Sequence, residues 1–167
     1  LKNYGADILR AWVASSDYAE DLRIDSTILK QHAESYRKIR NTFRFILGNI
    51  QDTFTKQNFD KLKFEELPEL ERYILNKLLE VDLSIEENLK NYNFHKLYKD
   101  LLNFCTLELS SFYFDIRKDT LYCDNVNSEK RKKCITVLNI ILECLLKWLA
   151  PIFVFTTEEI YSLIKKD

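Results

Sequence analysis

Residues 29–50 read LKQHAESYRKIRNTFRFILGNI, and their apolar side chains recur in alternating steps of three and four residues. Steps of this length place side chains on one face of an α-helix, so the pattern predicts a long helix with one buried stripe. The residues expected in this stripe are Leu29, His32, Tyr36, Ile39, Phe43, Ile46 and Ile50. Since a helix must bury its apolar stripe against another element, we expect the segment to belong to a bundle.

Two further helical patterns follow downstream and should pair with each other. The first opens after Pro68, a residue suited to the start of a helix, and repeats from Leu70 to Leu89. The second is separated from the first by Asn91-Tyr92-Asn93, and its expected apolar stripe consists of Phe94, Leu97, Leu101, Cys105, Leu109, Phe112 and Ile116. A connection this short favours neighbouring helices that run in opposite directions, so we expect an antiparallel pair.

The rest of the chain also indicates helices. Residues 120–128 are expected to form a loop before a mostly apolar helix, which Pro151 should end because proline lacks a backbone donor and clashes with the preceding turn. Thr156 is expected to cap the last helix, with Glu159 as its reciprocal partner. The 167 residues include only two Gly and two Pro, which suits long helices. The prediction is therefore an all-α fold, an antiparallel helical bundle.

The predicted organisation is a connector followed by the bundle. Residues 1–25 read as a short helix and a polar turn, and we assign them to the connector. Residues 26–167 are assigned to the helical bundle. Within the bundle, residues 51–66 are polar and loosely patterned, so we expect an excursion between two helices there.

Composition excludes several classes of protein. The 25 Lys and Arg residues balance 26 Asp and Glu residues, so any surface for an anionic partner such as RNA must be local. The apolar run from Cys134 to Leu149 is interrupted by polar residues and is shorter than the roughly 20 residues that cross a bilayer, so we expect no membrane partner. The four cysteines form no Cys-x-x-Cys pair, which predicts reduced core thiols in a cytoplasmic protein.

Catalytic and metal-binding motifs are also missing from the sequence. It has no Gly-rich phosphate loop, no His-x-x-x-His pair and no Gly-x-Ser-x-Gly turn, so we expect no catalytic residue. His32 and His95 have no nearby nucleophile or ligand set, and we interpret them as packing or capping residues. Asp115, Asp119 and Asp124 are loosely spaced carboxylates, which favours solvated side chains over a metal site.

A local positive surface is predicted on the flank of the first long helix. From Thr27 to Ile50, five basic residues oppose Glu34 alone, a local charge of +4. Guanidinium groups bind phosphate oxygens and stack on unpaired bases, so this flank could grip a single-stranded RNA loop. Its candidate RNA-binding residues are Arg40, Asn41, Arg37, Arg44, Tyr36 and Lys30. The alternative interpretation of the same spacing is a solvated helix face.

A second basic cluster, Lys130-Arg131-Lys132-Lys133, begins the helix that follows the predicted loop. The helix dipole disfavours cations at this end, so their placement costs some stability. A placement that costs stability favours a functional role for the cluster.

Several long stretches resemble one enzyme family. Residues 4–24 read YGADILRAWVASSDYAEDLRI and residues 36–49 read YRKIRNTFRFILGN. Residues 109–119 read LSSFYFDIRKD, and residues 149–160 read LAPIFVFTTEEI. In this order they resemble isoleucyl-tRNA synthetases, a family of class I aminoacyl-tRNA synthetases, over nearly the whole chain. Thr120 stands where that family generally has Arg, which argues against a phosphate contact in that loop.

The resemblance implies an anticodon-binding domain that binds and positions the anticodon stem-loop of an isoleucine-specific tRNA. Residues 1–25 would follow the catalytic domain of the same polypeptide, which uses ATP and Mg to join isoleucine to its tRNA. The family's zinc element would lie beyond Asp167, so we expect no cofactor in this chain and no activity from it alone. By resemblance to the related methionyl enzymes, Arg40 falls where an arginine touches the anticodon. The alternative function is a protein-interaction or structural connector module without RNA binding.

Overall fold

A computed structural model describes residues 4–50 and 63–165, and this part of the chain consists of helices and connecting loops without a β-strand. Its helices are α1 (Ala6–Ser15), α2 (Ser26–Ile50), α3 (Glu69–Lys90), α4 (Phe94–Asn103), α5 (Phe114–Cys123), α6 (Glu129–Leu149) and α7 (Val154–Ile164). A 3₁₀-helix (Phe64–Glu66) precedes α3, and a π-helix (Phe104–Tyr113) joins α4 to α5 without a break. The predicted all-α bundle is confirmed. Most of the excursion predicted for residues 51–66 lies outside the described residues.

The predicted antiparallel pair is formed by α3 and the continuous rod made of α4, the π-helix and α5. Late in α3, Ser84 donates a hydrogen bond to Asp100 in α4 at 2.8 Å. Early in α3, the Tyr73 hydroxyl donates to Glu108 in the π-helix at 3.1 Å. The chain reverses direction between α3 and α4 at Tyr92, whose φ of 56° lies in the left-handed region. The two contacts run in opposite order along the two elements, which confirms the antiparallel arrangement.

Four-residue steps connect seven buried residues along the rod. They are Leu97, Leu101, Cys105, Leu109, Tyr113, Arg117 and Leu121, and the buried Tyr98, Phe104, Phe114 and Thr120 lie beside them. In an α-helix of 3.6 residues per turn, each step of four residues drifts by about 40° around the axis. A π-helix has a wider turn, because its hydrogen bonds close from residue i to i+5. The π-helix therefore absorbs the drift and keeps these residues facing the core.

The prediction that Phe112 and Ile116 continue the buried stripe is wrong. They are 40% and 46% exposed, whereas Tyr113 and Arg117 are buried in their place. The prediction assumed α-helical steps, and the wider π-turn moves the buried face by one residue.

The loop predicted for residues 120–128 is also shorter than expected. Helix α5 continues to Cys123, and Thr120 is buried within it. Helix α6 then ends at Leu149, before Pro151 as predicted. Thr120 therefore lies inside the bundle, away from any loop surface.

The cysteines are all free, but only two of them are fully buried. Burial raises the pKa of Cys105 to about 12 and that of Cys134 to about 11. Cys144 is half-buried and Cys123 is exposed, so the prediction of four core thiols is wrong for Cys123. Cys123 lies in the last turn of α5, two residues after the buried Leu121. Residues two apart point to different sides of a helix, so Cys123 faces solvent where Leu121 faces the core.

No helix in the described ranges is long and apolar enough to span a bilayer. The same ranges contain no group of three His, Cys, Asp or Glu side chains that could hold a metal ion. Asp115, one of the three loosely spaced carboxylates, forms an exposed ion pair with Lys118 at 2.8 Å. Both histidines are half-buried, and burial lowers the pKa of His32.

Candidate nucleic-acid interface

The exposed side of α2 carries a row of cationic and polar side chains, which we call the α2 basic face. Its members are Lys30, Arg37, Arg40, Asn41 and Arg44, and all are exposed. The opposite side carries the buried Ile39, Phe43, Ile46 and Ile50 of the predicted stripe. At 100° per residue, Arg37 lies roughly 150° from the centre of that buried side. The core therefore holds α2 with its guanidinium groups facing outward.

Most side chains of the α2 basic face have no partner within residues 4–50 and 63–165. In this part of the chain, the side chains of Lys30, Arg37, Asn41 and Arg44 form no hydrogen bond or ion pair. Arg40 contacts the Glu159 carboxylate of α7 at 3.7 Å, and both side chains are more than half exposed. The arginines are therefore accessible to an external ligand, and none is held in a buried ion pair.

Two adjoining grooves lie between α2 and α7. One has a volume of about 490 Å³ and lies beside α1, and the other has about 390 Å³ and extends towards the end of α2. Arg40, Thr156 and Glu159 line both grooves. Phe155 completes the wall of the first groove and Arg44 that of the second. The α2 basic face thus borders a concave surface of a size that suits small planar groups.

Tyr36 lines the first groove, but its polar and aromatic groups are already engaged. Its hydroxyl lies 2.8 Å from the Thr156 hydroxyl, and its ring meets Phe153 edge-on with centroids 5.4 Å apart. Tyr36 is half-buried, unlike the exposed arginines. This arrangement fits a role in holding α7 against α2, and its direct contact with RNA stays a prediction.

The first helix holds the start of α7 in place. The Asp7 carboxylate accepts hydrogen bonds from the Thr156 backbone N–H at 2.9 Å and from the Thr156 hydroxyl at 2.6 Å, and a longer one from the Phe155 N–H at 3.4 Å. A carboxylate is favoured here, because the first N–H groups of a helix lack partners and its N-terminus carries partial positive charge. Asp7 is therefore a remote cap for α7.

The predicted capping role of Thr156 is wrong. Helix α7 begins at Val154, which places Thr156 inside its first turn. Glu159 accordingly faces Arg40, although it was expected to pair with Thr156. The physical reason is that the carboxylate of Asp7, which is distant in sequence, accepts the hydrogen bonds from the first backbone N–H groups of α7. A capping side chain close in sequence is therefore not needed.

Arg10 holds the other side of the same corner. Its guanidinium donates to the carbonyl oxygens of Ile152 at 2.9 Å and Pro151 at 2.5 Å, beyond the end of α6. The spacing of the sequence assigned no individual role to Asp7 or Arg10, which lie within the family-like stretch of residues 4–24. Two charged residues three positions apart in a short apolar helix share one face of that helix. This spacing could have indicated that α1 contacts another segment through Asp7 and Arg10.

Removing the Asp7 carboxylate should loosen this corner. We expect Asp7→Ala to lower the free energy of unfolding by about 2 kcal/mol, because three hydrogen bonds to one buried carboxylate are lost. Urea unfolding followed by circular dichroism measures the change. Asp21→Ala, which removes an exposed carboxylate of the same charge, is the matched control. Equal stability of the two variants would contradict the capping role.

The π-helix fixes α2 from its other side. The buried Thr42 hydroxyl lies 3.3 Å from the Cys105 carbonyl oxygen and 3.2 Å from the Ser110 hydroxyl. Phe45 stacks on Phe114 with ring centroids 4.2 Å apart. Thr42 was not predicted to be buried, because apolar periodicity treats a threonine as a surface residue. Helix α2 is thus held between α7 and the rod.

The second basic cluster is largely used within the chain. Lys133 donates to the Glu66 carbonyl oxygen at 2.6 Å, and Lys132 pairs with Glu129 at 3.1 Å. The half-buried Arg131 reaches the Asp124 carbonyl oxygen at 3.5 Å. The cations at the start of α6 therefore bind neighbouring segments of the chain. Lys130 is exposed, and its side chain forms no hydrogen bond or ion pair within the described ranges.

Comparison with known proteins gives a consistent result. Residues 71–167 match the family described as the anticodon-binding domain of tRNA ligase. The whole chain is similar to the isoleucine--tRNA ligase of Pelagibacter ubique, with 65% identity over 167 residues. It is also 45% identical to that of Crocosphaera subtropica over 96% of the chain, and 47% identical to that of Ruegeria pomeroyi over 96% of the chain. The chain spans 16–18% of the length of these relatives.

Proposed function

Because the chain belongs to the family of tRNA ligase anticodon-binding domains, we propose that it binds the anticodon stem-loop of a tRNA through the α2 basic face. The single observation that carries this proposal is the exposed row of Arg37, Arg40 and Arg44, which a neutral chain concentrates on one helix. Guanidinium groups bind phosphate oxygens in a bidentate manner and stack on bases, and a loop of unpaired nucleotides offers both.

For the whole protein, we propose the activity named for its relatives, the joining of isoleucine to its tRNA. In this scheme the chain docks the anticodon arm so that the acceptor end reaches a catalytic domain of the same polypeptide. Holding a reactant in the right place lowers the entropic part of the barrier without any chemistry at the docking site. ATP and Mg would act in that catalytic domain, this chain would be inactive alone, and the protein would work in the cytoplasm.

Salt dependence tests RNA binding directly. We expect the 167-residue chain to bind a fluorescent tRNA anticodon stem-loop at 50 mM salt and to bind it much less tightly at 200 mM, because phosphate contacts release counterions. Fluorescence anisotropy gives the dissociation constant at each concentration. Absence of binding even at low salt would support a connector module that does not bind RNA.

Arg40 can be tested separately within the same assay. We expect Arg40→Ala to weaken binding roughly 10-fold and to make the salt dependence shallower by about one ion, since one charged contact is lost. Lys38→Ala removes the same charge from another side of α2 and is the matched control. Equal losses in the two variants would exclude a specific contact at Arg40.

A further inference from the structure

We propose that an apolar groove between α1, α3, α4 and the end of α6 is the surface on which another part of the same polypeptide docks. The inference rests on the proposed function, because it takes this chain to be one region of a longer ligase. The groove, which we call the α1 groove, has a volume of about 570 Å³. All candidate RNA-binding residues lie outside its lining, so it is separate from the α2 basic face.

The α1 groove has a buried apolar floor and an exposed apolar rim. Ile85, Leu97 and Ile152 in its lining are at most 9% exposed. At the rim, Val13 is 56% exposed and Leu89 is 50% exposed. Exposed apolar side chains gathered around a concave surface are typical of sites that bind a partner. The groove therefore has the form of a docking site for apolar side chains.

A cluster of exposed aromatic rings extends this rim. The Phe94 ring contacts the Tyr18 ring with centroids 6.4 Å apart and the Tyr92 ring with centroids 6.2 Å apart. Tyr18 and Tyr92 are 63% and 65% exposed. Tyr92 also has a positive φ, a conformation that glycine would adopt without strain. Aromatic residues are enriched at protein–protein interfaces, so a strained and exposed tyrosine beside the groove favours contact with a protein.

The charged groups of the α1 groove favour a protein over an anionic ligand. Among the described residues, the cations that line it are Arg10 and Lys147. Arg10 already donates to the carbonyl oxygens of Ile152 and Pro151, and Lys147 pairs with Glu143 at 2.7 Å. RNA binding depends on cations that are available to phosphates. The α1 groove lacks what the α2 basic face offers, and its occupant is an apolar protein segment.

The length of the relatives indicates where that segment comes from. The region similar to this chain makes up 16–18% of each relative, so most of such a polypeptide lies outside it. A segment of the same polypeptide is tethered, and its high effective concentration makes one groove sufficient for stable docking. A separate protein or a second copy would need a larger interface to bind equally well. The remaining polypeptide is therefore the partner that fits this surface.

Docking in the α1 groove would place the partner one helix away from the RNA surface. Leu9 and Val13 of α1 line the α1 groove, whereas Asp7 and Ile8 line the groove beside Arg40. The 10-residue helix α1 thus separates a protein-docking surface from an RNA-docking surface.

Thiol labelling tests whether the α1 groove is covered. Val13→Cys places a thiol at the rim, and Leu83→Cys is the matched control at an exposed position that lines neither the α1 groove nor the grooves beside α2. Both variants are made in the 167-residue chain and in the whole polypeptide. The rate of reaction with N-ethylmaleimide is followed by mass spectrometry of the peptides, with the exposed native Cys123 as an internal reference.

We expect the thiol of Val13→Cys to react at least roughly 10-fold more slowly in the whole polypeptide than in the 167-residue chain, because a covered thiol reacts only when the interface opens. The thiol of Leu83→Cys should react at similar rates in both. Unchanged labelling of Val13→Cys in the whole polypeptide would overturn the proposal, as would equal protection of the two thiols. Thermal unfolding checks each fold, and Leu89→Cys is a second rim position if Val13→Cys lowers stability.

Two further outcomes would assign the α1 groove to another occupant and so overturn the proposal. Protection of Val13→Cys that increases with the concentration of the 167-residue chain would indicate a second copy. Protection by an added anticodon stem-loop would indicate RNA.

This test is independent of the proposed function. If the 167-residue chain binds the stem-loop but Val13→Cys is unprotected in the whole polypeptide, only the docking surface is excluded. If Val13→Cys is protected but the chain binds no RNA at low salt, the docking surface stands and the proposed function fails.

Discussion

Replacing Glu71 by Ala should lower the free energy of unfolding by about 3–5 kcal/mol, because it leaves a buried guanidinium without its counter-charge. The Glu71 carboxylate accepts hydrogen bonds from the Arg117 Nε and Nη2 atoms, both at 2.6 Å, and one from the Tyr113 hydroxyl at 3.3 Å. The Glu71 side chain is fully buried and that of Arg117 is 9% exposed. This cluster joins α3 to the rod inside the bundle.

The electrostatics of Arg117 reflect this pairing. Burial alone would lower the pKa of Arg117, but the hydrogen bond and the charge of Glu71 outweigh it and raise the pKa. The guanidinium therefore stays charged. Without Glu71, the desolvation free energy of this buried charge would no longer be offset by a partner.

Urea unfolding monitored by circular dichroism measures the effect of Glu71→Ala. Glu86→Ala breaks an exposed ion pair with Lys90 on the same helix and should not change stability measurably. Replacing both partners, Glu71→Leu with Arg117→Met, should recover much of the loss, because no buried charge remains. A small loss in Glu71→Ala would show that water reaches Arg117.

Replacing Phe153 by Ala should cost about 3–5 kcal/mol of stability, which is typical of a large ring removed from a closed core. Phe153 is fully buried. Its ring contacts Tyr36 of α2 edge-on at 5.4 Å and Tyr98 of α4 at 6.3 Å between centroids. The substitution therefore leaves a cavity at the place where α2, α4 and α7 meet.

Phe155→Ala is the control for this prediction, since the same ring is removed two residues away from an exposed position. It should change the free energy of unfolding by less than about 0.5 kcal/mol. The two variants should thus differ sharply in thermal and urea unfolding. Comparable losses in both would mean that Phe155 is buried in solution.

The buried side of α2 was predictable from the sequence over its second half. Ile39, Phe43, Ile46 and Ile50 are buried as their spacing indicates, because each meets the core of the bundle. Leu29, His32 and Tyr36 are only half-buried. Periodicity assigns a face but not the extent of the partner surface, and it cannot predict a hydroxyl such as that of Thr42 that is buried by a hydrogen bond.

The second half of the buried face of the rod could not be predicted from apolar spacing. The spacing indicated Phe112 and Ile116, whereas Tyr113 and Arg117 are buried. The π-helix (Phe104–Tyr113) has a wider turn than the α-helix that the spacing assumes. For the candidate site, the sequence placed the exposed arginines of α2, but Glu159 and Asp7 approach from distant segments and could not be placed by local spacing.

The corner between α6 and α7 is clamped by a single short helix. Arg10 grips the carbonyl side and Asp7 grips the amide side, three residues apart on α1. A displacement of α1 would therefore shift both sides of the corner together. Because the same corner carries the α7 wall of the grooves, such a displacement would also change the spacing between Glu159 and Arg40 of the α2 basic face.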